Sequence, residues 1–323
     1  MHSPTLAAWV GDPADFAAAY WRRRPGVFRP EGGARGPFTL ADVDAALATG
    51  FLSEPYLEMA RAEEPLGRES YLAPRTVNHA RHGGFADERR IRALLDEGAT
   101  LLMRRVDQWH GPTRDLLARL SGELGLAVEA FCFVTPPGTQ GVPLHRDDAD
   151  VLVLQLNGAK SWHVAEGPAD GNWEHGRVGG EPPAEVLRTT LRAGEVLYIP
   201  RGFAHEAVGS EGLSVHLSLT VREVHKGDLF RSLQKLTAQG MAVETRPLDD
   251  AAVLAAAAAM LDHVRAVVAA LEPEELVGHA RRAKLAELPA PRAPISLSAL
   301  AAGSGGPRRS GAPGGADGVT RDE

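Results

Sequence analysis

Cys132 is the only cysteine in 323 residues, so no intrachain disulfide and no cysteine-based zinc cluster can form. Any metal must be held by nitrogen and oxygen, and the usage suits a reducing compartment. Basic charge is short as well: 35 Lys and Arg against 42 Asp and Glu leave a formal charge of -7, which gives no global electrostatic footprint for nucleic acid. Lysine is the scarcer cation, present only as Lys160, Lys226, Lys235 and Lys284. The start, MHSPTLAAWVGDPADF, has no basic segment leading into an apolar run, and no window reads as a membrane span. Residues 253–271 are Ala-rich but interrupted by Asp262, His263 and Arg265, which predicts a soluble helix. A cytoplasmic protein with no membrane and no direct nucleic-acid partner is expected.

What is present is enough for one large domain and a smaller appendage, with 44% hydrophobic and 24% charged residues. The first hundred residues carry helix signals. Asp12 or Asp15 can cap a helix reaching Arg24, Thr39 with Asp42 three residues on can cap residues 40–49, and a helix over residues 87–97 stops at Gly98. A further helix after Pro112 and Thr113 runs to Leu126 with Leu116, Leu117, Leu120 and Leu124 on one face. This reads as a helical preface.

From residue 127 to 224 the pattern changes to short strands between Gly, Pro and Asp turns: 131–135, 151–156, 161–165, 186–191, 196–199 and 213–221. Many short strands at such spacing predict a jelly roll or barrel, mainly β with flanking helices. Asn157-Gly158 between two apolar runs predicts a two-residue hairpin. Residues 213–221 alternate strictly, with Ser214, His216, Ser218 and Thr220 on one face; that face meets either solvent or a polar cavity inside the barrel. After residue 224 helices return, over 228–239, 249–271 and 273–286, and residues 287–323 have the Pro, Gly and Ser content of a disordered tail.

His145-Arg146-Asp147 puts a histidine and a carboxylate two residues apart, on one face of an extended segment, where both can reach one ion. The third candidate is His205, delivered by a strand and a Pro/Gly turn, Leu197-Tyr198-Ile199-Pro200-Arg201-Gly202-Phe203-Ala204-His205. Two histidines and one carboxylate form the facial triad of non-haem iron(II) oxygenases, and they also suit other divalent metals. Asp148 points to the opposite face from His145, Asp150 is expected in a turn, and His163, His175, His216 and His225 are read as hydrogen-bonding or surface residues. If residues 147–155 were one straight strand, its far end would lie roughly 26 Å from the ligands, at about 3.3 Å per residue. The chain must therefore bend near residues 148–150.

The run Thr135-Pro136-Pro137-Gly138-Thr139-Gln140-Gly141-Val142-Pro143-Leu144-His145-Arg146-Asp147-Asp148, then Val153-Leu154-Gln155-Leu156-Asn157-Gly158-Ala159-Lys160-Ser161-Trp162, resembles the JmjC-type ribosomal oxygenases of the cupin-4 family. The stretch from Leu197 to His205 is similar to that family's second metal motif, and Phe16-Ala17-Ala18-Ala19-Tyr20-Trp21-Arg22-Arg23-Arg24-Pro25 to its N-terminal helix. The resemblance implies a double-stranded β-helix (cupin/JmjC jelly roll) over residues 1–225, with a C-terminal helical dimerisation region over 226–286. It implies an enzyme, a 2-oxoglutarate-dependent dioxygenase that hydroxylates a protein side chain, most plainly in a ribosomal protein. Its cofactors would be Fe(2+), the co-substrate 2-oxoglutarate and O2.

By the same resemblance His145, Asp147 and His205 are the metal-binding and catalytic residues, and Lys160 anchors the distal carboxylate of 2-oxoglutarate; Ser218 and Thr220, on the polar face of residues 213–221, are candidate co-substrate-binding residues. A cation is physically apt there, because a dicarboxylate entering a partly dry pocket needs its free end paired. The alternatives are an ordinary hairpin lysine, a hydroxylase of a peptide or natural-product precursor, a demethylase, and a non-catalytic metal-binding cupin acting as sensor or scaffold. Two departures from the family stand out. Phe131 and Phe133 occupy positions where polar residues, including a tyrosine, are common, and residues 287–323 are expected to be too few and too polar for the family's winged helix.

Overall fold

Ser3 accepts a hydrogen bond from the Leu6 amide and caps α1 (Pro4–Val10) in the computed structural model, which describes residues 3–62 and 65–289 together with 297, 298 and 301. Asp12 caps α2 (Pro13–Ala19), which ends well before Arg24. Arg22 takes a φ of 57, in the left-handed region, and the turned backbone donates its amide to Tyr198 Oη at 2.8 Å. The chain continues through β1 (Gly26–Phe28), α3 (Leu40–Ala48), β2 (Leu57–Ala60), the hairpin β3 (Leu72–Val77) with β4 (Ala80–Ala86), α4 (Glu88–Asp96) and β5 (Thr100–Met103). The capping box of Thr39 and Asp42 is present, and Asp87 caps α4. Gly98, at a φ of 92, ends the turn after α4, a conformation that a side chain would strain.

The first hundred residues are thus not only a helical preface. The strands β1, β2 and β5 have three or four residues each, too few to show an alternation, and all join the major sheet. Next come α5 (Val106–Trp109), α6 (Gly111–Leu124), β6 (Ala127–Thr135), β7 (His145–Arg146), β8 (Asp150–Asn157), β9 (Ala159–Ala165), β10 (Gly176–Arg177), β11 (Glu185–Arg192), β12 (Val196–Ile199), β13 (Ala204–Gly209) and β14 (Ser214–Arg222). Leu117 and Leu120 of α6 are buried, as their shared face predicts.

Two sheets result. The major one runs β1-β12-β8-β14-β6-β5-β2 and the minor one β10-β7-β13-β9-β11. Helices cover the outer face of the major sheet, where Val128, Ala130, Cys132 and Val134 of β6 meet Leu152, Leu154, Val215, Leu217 and Leu219 in the main core. Opposite-parity residues Val151, Val153, Leu197 and Ile199 pack inward on Trp162, Val164 and Leu191 of the minor sheet. Because both faces of β8 and β12 are covered, their sequences read as continuous apolar runs.

Asn157-Gly158 does not close a hairpin. Gly158 alone has a positive φ, of 60, and β8 pairs with β12 and β14 while β9 pairs with β11 and β13. The turn is a corner that carries the chain from one sheet to the other. A second corner follows β7, as the length of a straight strand requires: His145 and Arg146 belong to the minor sheet, and Asp150 opens β8 in the major one.

His225 caps α7 (Lys226–Ala238), Asp249 caps α8 (Asp250–Ala270), and α9 (Pro273–Ala286) follows. Ala280 of α9 is buried, and Arg281 and Lys284 tie that helix to Glu223 and Asp228. No residue of α8 is buried, and Leu254 is 71% exposed. Against expectation, α8 is long and apolar enough to cross a membrane, with a mean hydropathy of 1.6. Its interior Asp262 and Arg265 pair at 2.9 Å, and such charges are costly in a bilayer. Most of the expected tail, 287–323, lies outside the described residues.

Candidate active site

The register of β13 against β7 puts His205 directly opposite His145, and their ring centroids lie 4.3 Å apart. Asp147 follows β7 and is held by its own carbonyl, which accepts from the Gly202 amide at 3.0 Å. Its carboxylate reaches both rings, Oδ1 at 3.6 Å from His145 Nε2 and Oδ2 at 3.6 Å from His205 Nε2. The three ligand atoms lie within 4.8 Å of one another, compact enough to hold one metal ion.

Both imidazoles are set in the same tautomer. His145 Nδ1 lies 2.9 Å from the Pro143 carbonyl and His205 Nδ1 3.1 Å from the Phe203 carbonyl. A carbonyl only accepts, so each Nδ1 carries the proton and each Nε2 offers its lone pair, the arrangement that metal-ligating histidines use. Burial, and then the neighbouring His145, push the His205 pKa down to about 4, which keeps it neutral. With only imidazole and carboxylate donors, the set suits a divalent first-row metal.

Neighbouring acids are engaged elsewhere. Asp148 pairs with Arg201. Asp150 is not in a turn: it opens β8 fully buried, where Tyr198 Oη donates to it at 2.6 Å and Arg22 Nε at 3.2 Å. His163 lies 3.5 Å from Glu185 on the surface of the minor sheet.

The triad opens on a cavity of about 480 Å³ between the two sheets. Phe131 and Phe133 of β6, Val151 and Val153 of β8, and His216, Ser218 and Thr220 of β14 form one wall; Lys160 and Trp162 of β9 form the other. The alternating face of β14 therefore meets an interior cavity and not solvent. Ser218 and Thr220 are buried in that wall, and Thr220 Oγ1 also approaches the Glu129 carbonyl at 3.5 Å. His216, read from the sequence as a hydrogen-bonding or surface residue, is only 2% exposed and lies stacked on Phe133, centroids 4.8 Å apart and planes 7° apart.

Lys160 reaches across this cavity. Nζ donates to Thr135 Oγ1 at 3.1 Å and sits 5.8 Å from the Phe133 ring centroid and 5.7 Å from that of Trp162. Burial pushes its pKa down to about 7, and among the described residues no carboxylate pairs with it. An ammonium in that position is suited to receive an anion from outside the protein. Thr135 was not marked by sequence reasoning; only the closed barrel brings the end of β6 onto β9.

A double-stranded β-helix with a His-x-Asp and distal His triad defines a class, and residues 108–229 match the family described as the JmjC domain. Among curated proteins the chain is similar to Ribosomal oxygenase 1 of Gallus gallus, 31% identical over 264 residues, which is 74% of this chain and 40% of that protein. Ribosomal oxygenase 1 of Homo sapiens is 28% identical over 244 residues, 70% of this chain and 35% of that one. The chain thus spans less than half the length of these relatives. The fold matches the solved structure of YcfD, a ribosomal oxygenase from Escherichia coli in complex with cobalt and 2-oxoglutarate, with a TM-score of 0.52 at 19% identity over 83% of this chain and 69% of that one. The resemblance to JmjC-type ribosomal oxygenases read from the motifs is borne out.

Proposed function

We propose that the chain is an iron(II)- and 2-oxoglutarate-dependent oxygenase that hydroxylates a side chain of a ribosomal protein. The observation that carries this reading is the triad of His145, Asp147 and His205 within 4.8 Å, opening on the same cavity as a buried lysine that has no carboxylate partner among the described residues. In this reading the triad holds Fe(2+), Lys160 holds the distal carboxylate of 2-oxoglutarate, and Ser218 and Thr220 line its seat. Bound iron supplies activation of O2, and the overall reaction consumes O2 and 2-oxoglutarate and yields succinate, carbon dioxide and a hydroxylated carbon. The protein's part is to present two imidazoles whose Nδ1 atoms are fixed on backbone carbonyls, pair the co-substrate's free charge and exclude water with the Phe131 and Phe133 rings.

The helices α7, α8 and α9 are assigned to a homodimer interface in the cytoplasm. The support is α8, whose Val253, Leu254, Met260 and Leu261 are all exposed, a larger apolar surface than a lone soluble helix usually keeps. Mass spectrometry of ribosomal proteins from wild-type and deletion strains tests the substrate. One protein should lose a single added oxygen on deletion, and an unchanged ribosome rejects the ribosomal substrate. Release of carbon dioxide from 2-oxoglutarate by the purified chain separates an enzyme from a metal-binding scaffold.

A further inference from the structure

The wall facing Lys160 contains a polar group that no described residue satisfies. His216 lies opposite Phe133 in the β14 to β6 register, and its ring is stacked flat on that phenyl, 4.8 Å between centroids. Trp162 meets it edge-on at 5.4 Å, so two aromatic rings fix its plane. The residue is 2% exposed, its Nδ1 is buried without a partner, and among the described residues no hydrogen bond reaches the ring. A buried polar group left unpaired is costly, and a histidine held this firmly with nothing to bind points to a partner that arrives from outside. The ring lines the same cavity as Lys160.

We propose that His216 donates a hydrogen bond from its ring N–H to the distal carboxylate of the dicarboxylate co-substrate, beside Lys160, and so sets the preference for a dicarboxylate over a monocarboxylate. This rests on the proposed co-substrate reading. A carboxylate has two oxygens with several acceptor sites, so one ammonium and one imidazole N–H can share it without competing. Burial, and then the charge of Lys160, hold the His216 pKa well below its ordinary value, so the ring is neutral and has one N–H to give. Phe133, stacked beneath it, has no donor of its own. The phenyl instead orients the imidazole.

The test compares 2-oxoglutarate with 2-oxobutyrate, which lacks the distal carboxylate, by calorimetry on the zinc-loaded full chain. Zinc is redox-inert, so binding is read without turnover. The wild type should prefer 2-oxoglutarate. His216→Phe should weaken 2-oxoglutarate by about tenfold to a hundredfold, as loss of a hydrogen bond to a charged group does, and leave 2-oxobutyrate unchanged. His216→Gln, which keeps an N–H donor, should recover part of the loss. If His216→Phe misfolds, nitrogen-15 spectra of the histidines in the wild type decide: a ring N–H of His216 should shift with 2-oxoglutarate and not with 2-oxobutyrate. Unchanged preference in His216→Phe, or an unmoved His216 resonance, overturns the assignment while leaving the oxygenase reading intact. A wild type with no preference at all, and no loss of 2-oxoglutarate binding in Lys160→Ala, defeats the co-substrate reading itself.

Discussion

His145 and His205 are cross-strand partners: β7 and β13 run antiparallel with these two residues in direct register, and the rings approach to 4.3 Å between centroids. Strand pairing, and not loop conformation, therefore sets their separation, and a metal site on paired strands is preorganised. Replacing either histidine by alanine should abolish stoichiometric iron binding and turnover. The loss should exceed the roughly 100-fold that removal of an outer-shell partner brings. Metal content by mass spectrometry after dialysis checks it; a fully loaded, active His205→Ala would remove the triad from the reading.

Lys160→Ala should raise the apparent constant for 2-oxoglutarate by about a hundredfold or more, because an uncompensated buried charge costs on the order of 3–5 kcal/mol at about 1.4 kcal/mol per tenfold. Iron binding should persist, and arginine should rescue in part. Steady-state kinetics with varied 2-oxoglutarate read the effect, and an unchanged constant places the anchor elsewhere.

The same lysine should destabilise the ligand-free fold. Its pKa falls from 10.5 to about 7 on folding, so the unfolded chain binds more protons between those values and stability rises with pH across that window. Below about pH 7 both states are protonated and the cost is fully present. Lys160→Met should accordingly melt several degrees higher than the wild type at pH 6, with a gain of a few kcal/mol, and should lose 2-oxoglutarate binding. A lower melting temperature at pH 6 would show that Lys160 is not a strained charge.

Glu223 joins α9 to the jelly roll. Burial alone would raise its pKa, but hydrogen bonds from Arg281, the Val224 amide and Arg22 prevail and hold it down to about 2. A depressed carboxylate contributes stability above its unfolded value of 4.5, and this is lost as pH falls through about 2. Glu223→Gln should cost on the order of 3 kcal/mol at pH 7 and flatten the acid limb of a denaturation series. A parallel acid limb in the variant would assign that limb to other carboxylates.

Leu254→Glu with Leu261→Glu should convert the proposed dimer to a monomer in light scattering, since both side chains are more than half exposed on α8, at 71% and 53%. A monomeric wild type would reject the dimer.

Much of the site is legible along the chain. A His-x-Asp pair on an extended segment must share a face, and the alternation from Ser214 to Thr220 must split β14 into an apolar and a polar side. Pattern alone does not say what the polar side meets, because solvent and a lined cavity favour the same residues. Asn157-Gly158 shows the same limit: local chemistry specifies a tight turn, but whether the flanking strands pair or part depends on competing partners far away, here β12, β14, β11 and β13.

Composition and local pattern dictate the ligand types, through the presence of a single cysteine, the strand-rich middle with its helical flanks, and the lysine scarcity that makes Lys160 conspicuous. Tertiary structure decided which residues meet. Closure of the two sheets brings Thr135 and His216 from the major sheet onto Lys160 of the minor one and buries them together. The physical reason is that side-chain direction follows from local periodicity, whereas burial and long-range pairing are set by how the sheets pack.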